Sequence, residues 1–181
     1  IGGAKSDNNS HVLYLGQMNV LQPLVEKGDI KIVYNEFTNA WEESEGYEHA
    51  KNILATNEKL DAIIAANDAI AMGVVKALRE AGLEGQVLVA GMDADLPNLQ
   101  EIVAGHQTCT IYKPIEKLAA TAAELAVKLA KSEDCGKTFQ TVSNGEVLVP
   151  AMFHPSMVVN RENLKLTVIS EGYQKAEEVY K

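Results

Sequence analysis

Five places in the chain put polar side chains directly after a short apolar run. Asp7, Asn8 and Asn9 follow Ile1-Gly2-Gly3, and Thr38, Asn39 and Trp41 follow Ile30–Asn35. Asn67 and Asp68 follow Leu60–Ala66, Asp93 and Asp95 follow Gln86–Ala90, and Lys113 follows Thr108–Tyr112. If the runs are parallel strands, these residues share one edge of the sheet, where open α/β folds bind ligands. The set comprises carboxylates, amides, one ammonium group and the chain's only tryptophan. Carboxylates and amides suit vicinal hydroxyls, each of which both donates and accepts, and an indole covers a face of C–H bonds. A phosphate would call for a glycine-rich helix start, and neither a P-loop nor a dinucleotide fingerprint is present. An amino-acid carboxylate would call for arginine, yet the only arginines are Arg79, inside a helical segment, and Arg161, near the end. A neutral polyol fits best.

Each residue alone also has a structural explanation. Asp and Asn after a strand are ordinary helix N-caps, so Asn67 or Asp95 taken singly reads as a cap. A lone tryptophan is more often core than ligand platform, although Trp41 lies between Asn39 and Glu42-Glu43 and outside any apolar run. Catalysis finds little support. There is no G-x-S-x-G elbow and no Cys–His pairing, and the Asp93–Asp95 pair need not converge at strand-end spacing. The four histidines (His11, His49, His106, His154) are scattered, and none is followed at i+3 or i+4 in a helix by a second ligand type. No metal site and no cofactor are expected.

The elements that must hold these residues are legible from period. The strands Ile30–Asn35, Leu60–Ala66, Gln86–Ala90 and Thr108–Tyr112 alternate with helical patterns. Val12–Val25 carries a stripe of Tyr14, Met18, Leu21 and Val25, and Tyr47–Leu54 repeats it. Ala69–Ala81 stops at Gly82 and Leu96–Ala104 at Gly105, each suited to a left-handed cap. Pro114 opens Ile115–Lys131 as its first helical residue. Apolar strands separated by helices imply an open parallel α/β sheet with helices on both faces. Thr138–Gly145 reads as a linker or hairpin, Val147–Val149 and Met157–Val159 as late strands, and Glu171–Tyr180 as a terminal helix. The stripe Leu118, Ala119, Ala122, Leu125, Ala126 and Leu129 is wide and needs cover, either from this sheet or from another body.

Composition narrows the classes. The 181 residues carry a net charge of −9, with 25 acidic against 16 basic side chains, which opposes nucleic acid as a partner. Apolar residues at 46% indicate a packed protein, and no run approaches a membrane span. Cys109 and Cys135 lack the spacing of a redox or zinc pair and read as two unrelated thiols.

The segments Gly2-Gly3-Ala4-Lys5-Ser6-Asp7-Asn8-Asn9, Gly16-Gln17-Met18 and Ala66-Asn67-Asp68-Ala69 resemble the periplasmic sugar-binding proteins of ABC transporters. So do Gly91-Met92-Asp93-Ala94-Asp95-Leu96, Thr110-Ile111-Tyr112-Lys113-Pro114-Ile115, Val149-Pro150 and Thr167-Val168-Ile169…Gly172-Tyr173. The resemblance runs over essentially the whole chain and implies the type I fold of that family. It implies that Asp7, Asn9, Trp41, Asn67, Asp93 and Lys113 line a pentose site, with D-xylose the preferred ligand. It implies an extracytoplasmic protein whose two lobes close on sugar, without covalent chemistry, for a membrane permease to recognise. A sensor presenting the bound state to a membrane histidine kinase, or the effector domain of a LacI-type regulator, is the alternative; the regulator would need a basic DNA-binding segment. By the same resemblance, residues 1–112 are the C-terminal lobe without its start. Residues 113–148 would pack on an absent N-terminal lobe, and 149–181 would return to the C-terminal lobe.

Overall fold

Short apolar runs flanked by helices build the parallel sheet that the alternation predicts. The computed structural model describes residues 1–56, 58–136 and 140–181. They form two units, one of residues 1–112 with 158–181 and one of residues 113–157. The first unit opens with β1 (Gly2–Ala4), α1 (Asn8–Lys27), β2 (Phe37–Thr38) and α2 (Glu43–Ala55). It continues through β3 (Ala62–Ile64), α3 (Asp68–Glu80), β4 (Leu88–Ala90), α4 (Leu96–Ala104) and β5 (Cys109–Tyr112). The second unit holds α5 (Ile115–Ala130) and the strands β6 (Gln140–Ser143) and β7 (Leu148–Ala151). The chain then enters β8 (Met157–Asn160), a 3-10 turn at Leu164–Leu166 and α6 (Ala176–Val179).

β1 pairs with β2, and β3 with β4 and β4 with β5, all in parallel, while β8 lies beside β5. Ile1 ties the two ladders together: its amino group donates to the Ile64 carbonyl at 2.8 Å and its carbonyl accepts from the Ala66 N–H at 3.1 Å. Ile63 and Val89 are buried in a core with Ile70, Val74, Val75 and Leu78 of α3. Their neighbours Ile64 and Leu88 point to the opposite face, since successive strand residues alternate, and are 37% and 57% exposed.

The helix ends follow the glycines. Gly28 and Gly105 cap α1 and α4 at φ +82° and +89°, a left-handed conformation that costs a residue without Cβ little. α2 and α3 meet at Gly46 and Gly73. A Cβ on Gly73 would collide with the backbone of Glu43 and Tyr47, and one on Gly46 with the backbone of Ile70. Only hydrogen fits at either position.

Several boundaries differ from expectation. Ile30–Asn35 is not a strand. In the β1–β2 register, Gly2 stands opposite Phe37, so residues 30–35 run past the end of β1 with no strand opposite among the described residues. The terminal helix is confined to Ala176–Val179 because Gly172 turns the chain at φ +76°. Pro114 is the N-cap of α5, not its first helical residue. Thr138 and Phe139 lie outside the described residues, and Gln140–Ser143 pairs antiparallel with Leu148–Ala151, a hairpin. Val149 and Pro150, expected at the return to the first unit, lie within this hairpin in the second. A His154 Nε2–Thr121 Oγ1 contact of 3.0 Å links the segment after the hairpin to α5.

Gly73→Ala should destabilise the fold by roughly 1–3 kcal/mol, the usual cost of forcing an extra carbon into a filled contact. A denaturant midpoint unchanged from wild type would show that α2 and α3 can separate freely.

Candidate functional site

At the head of α1, Asp7 is the N-cap. Its Oδ1 accepts from the Asn9 N–H at 2.8 Å, and its Oδ2 accepts from the Trp41 Nε1–H at 3.2 Å. Asn67 is the N-cap of α3. Its Oδ1 accepts from the Ile70 N–H at 2.9 Å, and its Nδ2 donates a longer bond of 3.4 Å to the Trp41 carbonyl. Four of the expected residues, Asp7, Asn9, Trp41 and Asn67, are thus joined in one hydrogen-bonded chain across three strand ends. Trp41 is half-buried, packs against the core cluster and lies over Gly3, where a Cβ would collide with the indole. The same two side chains that cap the helix starts therefore also hold Trp41, Asp7 by its indole and Asn67 by its carbonyl.

The β4 end is built differently. Asp93 and Ala94 take positive φ values of +114° and +56°, unusual for residues with a Cβ. The turn is held by backbone and side-chain bonds. The Asp93 N–H donates to the Ile111 carbonyl at 2.8 Å, the Ala94 N–H to Thr110 Oγ1 at 3.2 Å, and the Tyr173 hydroxyl to the Asp93 carbonyl at 3.3 Å. Beneath it lies Asp68, fully buried. Its Oδ2 accepts from the Asp95 N–H and the Thr110 hydroxyl, each at 2.9 Å, and its Oδ1 accepts from Gln107 Nε2 at 3.1 Å. Burial pushes the Asp68 carboxyl up to about 6, against the opposing pull of those three donors. Tyr173 is raised by burial and then by the nearby Asp95, Asp93 and Asp68, and the Cys109 thiol by burial and then by Asp68.

Lys113 directly follows β5 and is the first residue of the second unit. Asp95 caps α4 with its backbone and makes no side-chain cap bond. Sequence reasoning missed Gln107, Thr110 and Tyr173, because nothing in their spacing ties them to Asp68 or Asp93. It also missed a groove of about 540 Å³ lined by Ile1 and Gly2, by Met18 and Leu21 of α1, by residues 29–35 and by residues 58–64. A cluster of Glu84, Glu101 and His106 brings three metal-type ligand atoms within 4.8 Å of one another. Arg79 already pairs with both carboxylates, and its guanidinium is raised by Glu101 and then Glu84, so a cation would have to displace it.

The parallel strands thus carry an aromatic ring with capping carboxylates and amides at their ends. The chain belongs to the family of the periplasmic binding protein domain, whose profile matches residues 1–134. It is 42% identical over 180 residues to the D-xylose-binding periplasmic protein of Escherichia coli (strain K12), covering 99% of this chain and 54% of that protein. The D-xylose-binding periplasmic protein of Haemophilus influenzae is 40% identical over 181 residues, with the same coverage of 99% and 54%. Among solved structures, a solute-binding protein of an ABC transporter from Clostridium phytofermentans, with bound β-D-glucose, superposes at a TM-score of 0.86. It is 25% identical, and the match covers 99% of this chain and 59% of that one. A second, from Actinobacillus succinogenes with bound D-allose, gives 0.74 at 28% identity, over 91% and 53% of the two chains. The chain thus spans little more than half the length of the relatives that it matches. No helix among the described residues is long and apolar enough to cross a membrane.

Gly3→Ala should evict the indole from its seat and break the bond from Trp41 to Asp7. A red-shifted Trp41 emission with the fold retained by circular dichroism is the expected result. An unchanged spectrum would mean that the ring is not held on Gly3.

Proposed function

We propose that this chain is the greater part of one lobe of an extracytoplasmic solute-binding protein that takes up a pentose, D-xylose by preference. In this reading the sugar is held against a second lobe and handed to an ABC permease. The observation that carries the reading is the Trp41 indole set over Gly3 by Asp7 and Asn67, an apolar platform rimmed by hydroxyl-binding groups. The 42% identity to a D-xylose-binding relative supports the choice of pentose. Asp7, Asn9, Trp41, Asn67, Asp93 and Lys113 are the proposed ligand-binding residues. Carboxylates contribute charge-assisted bonds to hydroxyls, about twice as strong as neutral ones, and Trp41 covers the C–H face. No bond is made or broken in this scheme. Closure of the lobes is favoured by whatever affinity the sugar has for the closed over the open form.

The division of the chain fits this scheme. Residues 1–112 would belong to the C-terminal lobe. In the second unit none of the α5 residues is buried, and Leu118 and Leu129 are 54% and 68% exposed. At about 25 cal/mol per Å² such a face gains from cover, and the second lobe is the body proposed to supply it.

Calorimetry on the two-lobe protein and on residues 1–181 alone, with D-xylose, D-ribose, D-glucose and an amino acid, tests the reading. The two-lobe protein should bind pentose with no metal added, and the isolated chain should not. Tight amino-acid binding without a pentose response would refute the sugar reading, and full affinity in the isolated chain would refute the two-lobe division.

A further inference from the structure

We propose that Asp68 is a positioning residue: its buried carboxylate holds the Asp93–Asp95 turn at the angle that presents the Asp93 side chain to ligand. The inference rests on the sugar-binding reading for its consequence, though not for its geometry. Asp68 is the first residue of α3, next to the cap Asn67, so whatever fixes it also fixes the proposed ligand residue beside it. Its N–H donates to the Met92 carbonyl at 2.7 Å, and its Oδ2 receives the Asp95 N–H at 2.9 Å. The turn Asp93-Ala94 is therefore gripped at both ends by one residue of the neighbouring strand end.

The grip has a second point. Thr110 Oγ1 donates to Asp68 Oδ2 and accepts from the Ala94 N–H, so the carboxylate orients the hydroxyl that holds the middle of the turn. This matters because Asp93 and Ala94 sit at positive φ, where side-chain-bearing residues stay only when their surroundings hold them. Glycine is required directly below: a Cβ on Gly91 would strike Asp68 Oδ1 and crowd Gln107 Nε2. Gln107 is itself oriented, since its Oε1 accepts from Asn98 Nδ2, which also donates to the Asp68 carbonyl, each at 2.8 Å. Every donor around the carboxylate is thus supplied by a buried or backbone group.

An amide in place of this carboxylate would set an N–H₂ against either Gln107 Nε2 or the Asp95 N–H, a donor facing a donor. Protonation would likewise remove one acceptor. The groups facing Asp68 are the Asp95 carboxylate from the α4 cap, the Cys109 thiol and Thr110 from β5, and the Tyr173 hydroxyl from the C-terminal segment. The Asp95 carboxylate raises the Asp68 carboxyl further. The ionised form, which accepts all three bonds, predominates at neutral pH.

The test uses the two-lobe protein, with Asp68→Asn and Thr110→Val as variants. The second keeps shape and leaves the carboxylate in place. Amide hydrogen exchange without sugar should accelerate at least tenfold at Ala94 and Asp95 in both variants, with the middle of α3 unchanged. D-xylose affinity at pH 7.5 should fall at least tenfold in both. Wild-type exchange at Ala94 and Asp95 in both variants would overturn the proposal, as would a lowered Tm with wild-type affinity. If wild type binds no pentose, the sugar reading fails, and the exchange result alone decides the role of Asp68.

Discussion

One buried carboxylate organises the carboxyl-end edge of the strands β3, β4 and β5. Asp68 takes bonds from the start of α4, from β5 and from the residue leading into β5, and so adds side-chain ties to the ladder bonds that already join β3, β4 and β5. Burying a charge is costly unless it is hydrogen-bonded, and here three donors offset part of that cost. A satisfied buried network of this kind favours one arrangement over its near neighbours. The strand ends at β3, β4 and β5 are consequently held in fixed register to one another, and the residues that project from them inherit that precision.

A second constraint acts on the other side of Asn67. α2 and α3 approach so closely at Gly46 and Gly73 that no side chain fits between them. Trp41 lies just before α2 and is held by Asp7 from α1 and by Asn67 from α3. The helix contact therefore sets where the indole can sit, and the caps orient it. Helix caps and ligand groups combine readily, because an N-cap side chain at a strand end already points into the space that a ligand would use.

Much of this is legible in the sequence. The apolar stripe of α4 ends at Gly105, a residue that takes the left-handed cap, and the helix ends there too. Asp7, Asn9, Trp41 and Asn67 each come shortly after an apolar run, and the fold joins these four of the six proposed ligand residues in one hydrogen-bonded chain. Other features are not legible. Ile30–Asn35 has the composition of a strand, but composition does not reveal whether a partner lies opposite, and among the described residues none does. The stretch from Glu171 looks helical by composition, yet Gly172 at positive φ turns the chain before α6. The partners of Asp68 lie 39 and 42 residues away at Gln107 and Thr110, a pairing set by sheet order and not by any local pattern. The groove beside α1 is invisible for the same reason.

That groove and the strand ends are competing places for a ligand, and one measurement separates them. Backbone and indole resonances of the two-lobe protein, followed during a D-xylose titration, report where the sugar lies. The account predicts shifts at Asn9, at the Trp41 indole N–H, at Asn67 and at Asp93. Shifts confined to Met18, Leu21 and residues 58–64 along the groove, with the Trp41 indole unmoved, would contradict it.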